Sequence, residues 1–330
     1  MKKKDDDGSL PVDPVTGELI LNDRLSTVLD IMDREPSAPE IWFGHSILTS
    51  TLFPTVQPDA SVPFISKRNG RYEFLLEPGI DSETRQRKFP SGKYPRLLMA
   101  WMAKQIRSAG GRKTDIVDPE AHQITIPTFF RLCAELGLPR GGKTVESLRE
   151  QLRLLLACHI SIRRTTGFVG GDIHDTVSLP IVKAVRHVRN RKNADLSGAS
   201  FILTDEVWER LQTESAPFDV RVTKILLSGK SVMPYDVYIW LTASANRLSR
   251  DTFVSWEWLF ERFGDGFKDE ADFRKKFRQA LAKVREVYPA LNVTVPSRGK
   301  GIILHRSEPS VPPRAVRNLP LPEGKTRARI

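Results

Sequence analysis

The segment at residues 270–289, EADFRKKFRQALAKVREVYP, limits the fold more than any other part of the chain. At 100° per residue, Phe273, Phe277, Ala280, Leu281, Val284 and Val287 fall on one stripe, while Lys275, Arg278, Gln279 and Arg285 fall opposite, with Lys283 adding charge to the flank. Such a helix must rest one face on a core supplied by other segments, and it leaves a cationic face outside. Its neighbours fit that demand. Residues 233–248 predict a helix, 252–255 a strand and 256–263 a helix; after it, 291–295 and 301–305 predict a hairpin around PSRGK. Helix, strand, helix, helix, hairpin is the order of a winged helix, with the long helix in the recognition position and Arg298 and Lys300 at the wing tip. A solvated basic face is the ordinary fate of a charge run, but the elements flanking this one favour DNA contact.

An earlier region shows the same order. A helix opens at Tyr94 and runs to about residue 109, residues 123–126 read as a strand, and 127–136 as a helix. A glycine-rich turn, a helix over 144–157 and a strand from residue 159, with a Gly-Gly turn behind it, complete the pattern. The second helix carries an apolar stripe of Val145, Leu148, Leu152, Leu155 and Leu156. Its opposite face holds Lys143, Ser147, Glu150 and Gln151, which is less basic and suits a core or dimer contact nearly as well as DNA. Arg163 and Arg164, beside an expected wing at residues 166–178, add positive charge.

The expected architecture is therefore α+β: two tandem winged-helix domains, each a helix-turn-helix plus a β-hairpin wing, over residues 91–215 (dimerisation and DNA) and 216–306 (DNA recognition). Residues 23–90 read as an N-terminal docking segment. It holds a short amphipathic helix over 23–33, the apolar cluster APEIWFGHSILTSTLFP, and a hairpin over 62–80 in which VPFISK and YEFLLE flank a turn at Asn69–Gly70. Residues 1–22 are expected as a flexible arm, and the Pro- and Arg-rich stretch 307–330 as a disordered basic tail.

Charge points to the partner. The formal net charge is +11, which suits a polyanion. It is unevenly placed: residues 1–90 carry 11 basic against 15 acidic side chains, and residues 91–330 carry 40 against 25. The DNA surface is thus expected after residue 90. Two cysteines, Cys133 and Cys158, lie inside apolar helical patterns and away from histidine at metal spacing, which argues against a disulfide framework and a zinc site. No apolar run reaches signal-peptide or membrane-spanning length, so the chain is expected in a bacterial cytoplasm, at the nucleoid or a plasmid, with no membrane partner.

One motif points to another class. GLPRGGKT, residues 137–144, matches the P-loop pattern and makes a DNA-acting ATPase or helicase the main alternative. The pattern cradles phosphates only where a buried strand precedes it, and FFRLCAEL before it has helical spacing with Gly137 at a helix end. FILTD at 201–205 is a weak match to the second acidic motif of such enzymes. Nicking chemistry would need paired histidines or a carboxylate cluster, and the six histidines are scattered; no GxSxG elbow occurs. No catalytic residue, metal or cofactor is expected, and the chain reads as a binding protein.

Five ordered segments carry a resemblance: PSGKYPRLLMAWM near residue 90, FFRLCAELGLPRGGK, PYDVYIWLTA from Pro234, FVSWEWLFERFG from Phe253, and FRKKFRQALAKVREVYPALNV from Phe273. Together they resemble the plasmid-encoded RepA-type replication initiators of broad-host-range plasmids, and APEIWFGHSILTSTLFP is similar to the N-terminal portion of close relatives. The resemblance implies a protein that binds repeats at a plasmid origin, opens the adjacent duplex without hydrolysing nucleotide, and recruits a host initiator and replicative helicase from a monomer–dimer equilibrium. It also implies two winged-helix domains. A sliding clamp is a further partner considered, through Leu52–Phe53, although the leading glutamine of a clamp peptide is missing and core packing explains the pair as well. A winged-helix transcriptional repressor, which would act on copy number, shares every charge feature with the initiator.

Overall fold

The computed structural model describes residues 23–69, 72–168, 171–188 and 198–317. The expected arm over 1–22, the last thirteen positions of the tail, and the turn residues Gly70 and Gly170 lie outside the described residues.

The chain begins with helix α1 (Asp23–Asp33) and strand β1 (Ile41–Gly44). A short turn of π-helix follows at Ile47–Thr51. His45 caps that turn: its Nδ1 accepts from the amides of Ile47 and Leu48, both at 3.1 Å, and its Nε2 faces Glu214 Oε2 at 3.2 Å. A nitrogen that accepts twice carries no proton, so the ring is the neutral tautomer with hydrogen on Nε2. Leu52 and Phe53 are buried in the core, the packing weighed for them from the sequence, and are not offered to a clamp in this conformation.

Strands β2 (Ile65–Asn69) and β3 (Tyr72–Glu77) form the expected hairpin. Helix α2 (Lys93–Ala109) follows, then β4 (Val117–Asp118), β5 (Gln123–Ile126), α3 (Phe129–Glu135) and α4 (Gly142–Ala157). Next come β6 (His159–Phe168), β7 (Gly171–Pro180), β8 (Val182–Val188), β9 (Gly198–Leu203), α5 (Asp205–Thr213), β10 (Ala216–Asp219) and α6 (Val222–Leu226). The last part is α7 (Met233–Ser244), β11 (Thr252–Ser255), α8 (Trp256–Phe263), α9 (Glu270–Val287), β12 (Val293–Thr294), β13 (Gly301–Leu304) and α10 (Pro313–Arg317).

This is an α+β fold whose named pairings are all antiparallel. Two sheets have four strands, ordered β2-β3-β6-β7 and β4-β5-β9-β8; one has three, β11-β13-β12; and β1 pairs with β10 alone. The hairpin β6–β7, which contains the expected wing at 166–178, is continued by β2–β3 into one sheet, with Tyr72 opposite Arg164 and Phe74 opposite Ile162. That partner lies some 90 residues upstream in the chain, which no local pattern reveals.

Helix α7 is apolar nearly all round, α2 is amphipathic with Lys93, Lys104 and Arg107 on its partly exposed side, and both are buried along most of their length. One continuous core encloses both. They are joined by an ion pair: Arg96 Nε donates to Asp236 Oδ1 and Nη2 to Oδ2, each at 2.8 Å, with Arg96 only 1% exposed. The remaining guanidinium hydrogens reach the carbonyls of Phe53 (2.6 Å), Gly92 (2.7 Å) and Pro54 (3.4 Å). Every donor of the arginine is therefore used, the condition under which a buried charge is tolerated.

Residues before position 90 are fastened to the C-terminal part of the chain. Arg221 binds Asp219 at 2.7 Å and Asp30 Oδ2 at 2.8 Å, holding α1 over α6. Lys67, buried on β2, donates to the carbonyl of Arg262 at 3.0 Å and pairs with Asp265 at 2.8 Å. A cation at the carbonyl end of α8 also suits the helix dipole. The stretch after Ser307, expected as a disordered tail, is packed as far as it is described. Val311 is buried, Tyr238 Oη meets Ser310 Oγ at 2.5 Å, and Arg314 pairs with Glu35. A proline-rich strand needs no internal hydrogen bonds, so its lack of helical or strand period did not preclude docking.

Candidate nucleic-acid interface

Helix α9 starts at Asp269, whose side chain accepts from the amide of Asp272 at 2.8 Å. Phe273, Phe277, Ala280, Leu281, Val284 and Val287 are buried, the stripe read from the sequence. Lys275, Lys276, Arg278, Gln279, Lys283 and Arg285 are all exposed on the other side. Arg24 of α1 pairs with Glu286 and so offsets an acid on that outer face. Lys275, Gln279 and Lys283 make no side-chain hydrogen bond or ion pair with another described residue. Arg285 is different: its guanidinium donates to the carbonyl of Val293 on β12 and so ties the helix to the hairpin.

Trp256, the first residue of α8, joins this face to the turn at 296–300. Its ring lies under the guanidinium of Arg278 (4.9 Å to the centroid) and that of Arg274 (5.7 Å), and edge-on to Phe277 at 5.8 Å. Its Nε1 donates to the carbonyl of Gly299 at 3.1 Å, and its amide donates to that of Lys300 at 2.9 Å. Gly301 allows the close approach: a Cβ there would stand 2.0 Å from the carbonyl oxygen of Val254. Arg298 and Lys300 are exposed at the tip of this turn. Trp256 thereby links Arg278, through its ring, to the backbone of Gly299 and Lys300, the turn that carries Arg298. Sequence reasoning passed over Trp256, although its place at the strand–helix junction ahead of a basic helix was a usable signal.

The other four candidate residues sit elsewhere. Lys143 and Ser147 lie in the first turns of α4, and Arg163 and Arg164 in the middle of β6, exposed. Arg163 meets Glu73 of β3 at 3.2 Å, and Arg164 stands opposite Asp175 of β7 in the register. The polar face of α4 is partly covered. Residues 79–91 lie along it as a strap: Ser91 N donates to Gln151 Oε1 at 2.7 Å, Arg153 binds Asp81 at 3.2 Å, and a Cβ on Gly79 would stand 1.8 Å from the carbonyl oxygen of Ala157. Gln151 therefore faces protein and Glu150, still partly exposed, stands 4.0 Å from Lys88, so the uncovered part of the polar face of α4 is chiefly its N-terminal half.

The segment 137–144 follows α3, a helix, and not a buried strand. Gly137 adopts φ +65°, Leu138 N donates to Cys133 O at 2.8 Å and Gly137 N to Ala134 O at 3.1 Å. That pair of bonds is the Schellman ending of a helix. The glycine thus ends α3, and the strand–loop–helix setting of a P-loop is not the one found here. Among the described residues no cluster of His, Cys, Asp and Glu could hold a metal ion, and no helix is long and apolar enough to cross a membrane. Cys133 and Cys158 are both buried and unpaired, and burial pushes the Cys158 thiol up to about 12.

Residues 89–258 match the family described as plasmid encoded RepA protein. The chain belongs to that family. Three of the five segments that carried the resemblance lie wholly within the matched residues of this RepA-family protein, the fourth is cut at Trp258, and the segment of α9 lies beyond. No curated protein matches the chain. Two crystal structures of domains 2 and 3 of RctB are similar to it. One shares 10% identity at a TM-score of 0.48 and covers 80% of this chain and 99% of its own; the other shares 9% at 0.44, covering 78% and 94%. Helix α2, which supplies Arg96, and α7, which supplies Asp236, both fall inside the family match, so the buried pair joins two parts of the RepA region.

Proposed function

We propose that this RepA-family protein is a plasmid replication initiator, acting without catalysis of its own, that binds repeated duplex DNA at its origin through α9 and the β12–β13 hairpin. The reading rests on one observation: the exposed cationic face of α9 and the basic turn at 296–300 are fixed to each other by Trp256. Helix α7, β11, α8, α9 and β12–β13 then serve as a winged helix, with α9 in the major groove and the turn on the backbone. Arg278 and Gln279 read base edges, while Lys275, Lys283, Arg298 and Lys300 neutralise phosphates. Residues 91–215 act as a second winged-helix unit with a dimerisation role. Binding opens the adjoining duplex, draws in the host initiator and replicative helicase, and regulates copy number. The site of action is the bacterial cytoplasm.

The test is affinity for a duplex of origin repeats against a scrambled duplex, across a salt series. Arg278→Ala is expected to remove about 1–3 kcal/mol of the preference for repeats. Lys275→Ala is expected to weaken both duplexes equally and to lower the salt slope by about 0.9. Retention of full repeat preference by Arg278→Ala overturns α9 as the reader. Repeat binding without opening of the duplex would instead mark a repressor.

A further inference from the structure

We infer that the strap over α4 is a second DNA-contacting element, which sets Arg85 and Arg87 against the phosphate backbone beside the duplex held by α9. The inference rests on the proposed DNA-binding role and adds a contact from the part of the chain whose net charge is negative.

The strap is built around a buried carboxylate. Asp81 Oδ1 accepts from the amide of Glu83 at 2.9 Å and from Arg153 Nε at 3.2 Å, and Oδ2 accepts from Thr84 Oγ1 at 3.0 Å. Two backbone bonds close the turn: Arg85 N to Asp81 O at 2.9 Å and Asp81 N to Gln86 O at 3.0 Å. Ile80 bridges to Arg87, and Phe89 is buried beneath. The loop is thus held from below, and residues 82–87 are exposed above.

Two observations distinguish this loop from an ordinary polar turn. Arg85 has φ +59°, a left-handed conformation that glycine adopts freely and arginine does not. Strain of this kind is retained where a side chain is needed at a fixed place. The acids nearby are also already engaged, Asp81 and Glu83 by Arg153, and Glu150 with Lys88 at 4.0 Å. Arg85 and Arg87 make no side-chain ion pair or hydrogen bond with another described residue, so two guanidinium groups are left for an outside anion. A guanidinium matches phosphate geometry in two-pronged fashion.

Position favours the backbone of the same duplex. Directly after the strap, the amide of Gly92 donates to Pro54 O at 2.9 Å. Pro54, Thr55 and Val56 line a groove with Asp265 and Gly266, on the loop that enters α9. Through the bond to Pro54, the C-terminal end of the strap is thus tied to one wall of the groove whose other wall is the entrance to α9.

The experiment compares the full chain with Arg85→Gln/Arg87→Gln and with Arg85→Gly, reading affinity for repeat and scrambled duplexes from low to high salt. Each lost phosphate contact lowers the slope of log affinity against log salt by about 0.9. The double variant is expected to lose about 1.8 in slope, with the ratio of repeat to scrambled affinity unchanged. Arg85→Gly relieves the left-handed arginine, so its melting temperature should equal or exceed the parent's while its slope falls by about 0.9. Unchanged slopes in both variants overturn the inference, as does a slope that falls only because Arg85→Gly melts early. If the parent shows no repeat preference, the α9 reading fails, and the change in slope at Arg85 and Arg87 is still measured on either duplex.

Discussion

Removing Asp236 should destabilise the protein more than any surface change, because of what it leaves behind. Arg96 uses all five of its N–H groups, two of them on the carboxylate of Asp236. In Asp236→Ala two of those hydrogens lose their acceptor and the guanidinium loses its counter-charge, with side chains only 1% and 7% exposed. Orphaned buried donors cost about 1–3 kcal/mol each, and breaking a buried ion pair on one side costs about 3–5 kcal/mol in all. We expect a loss in that range from urea unfolding, with the slope of the transition unchanged. Asp236→Asn keeps one acceptor and should lose less. In Arg96→Met/Asp236→Leu no charge is left unpaired, so the loss should fall short of the sum of the two single changes. A loss under about 1 kcal/mol in Asp236→Ala, or strict additivity of the pair, would refute the reasoning.

Two further outcomes follow from the geometry. Burial lowers the pKa of His45, opposed by Glu214 and assisted by Arg210 and Arg262. Its folded pKa thus lies below the unfolded value of about 6.5, and the unfolded chain takes up the proton first as pH falls. Stability is full above about pH 6.5 and should drop below it by up to about 1.4 kcal/mol per pH unit until the folded ring also titrates; His45→Gln should lack that component between pH 7 and 5.5, and equal slopes in the two proteins would remove the claim. Trp256→Phe keeps a ring for Arg278 but loses the hydrogen bond to Gly299, worth about 1 kcal/mol. Its salt slope should fall while repeat preference persists, and a melt and slope identical to the parent's would separate Trp256 from the hairpin.

The elements that depend on local period were legible. The stripe of α9 and the end of α3 at Gly137 follow from residues a few positions apart, and the structure places both as read. What escaped were meetings between distant segments. Arg96 and Asp236 look like ordinary charged residues in apolar helices until α2 and α7 are laid together. The polar side of α4 looked available because residues 79–91 carry no period that marks them as its cover. Likewise Arg85 reads as one charge in a mixed loop, and only the backbone angle and the pairing of the nearby acids with Arg153 set it apart.

The pairing of β1 with β10 also constrains how the molecule is made. Ile41–Gly44 has its partner at Ala216–Asp219, about 175 residues later in the chain. At a synthesis rate of roughly 5–20 residues per second, the ribosome delivers that partner about 9–35 s after β1 has left the peptidyl-transfer centre. During that interval Ile41, Trp42 and Phe43, buried in the finished protein, have no strand to seat against. Until then β1 has α2 to pack against but no hydrogen-bonding strand, so completion of this pairing waits on the synthesis of β10.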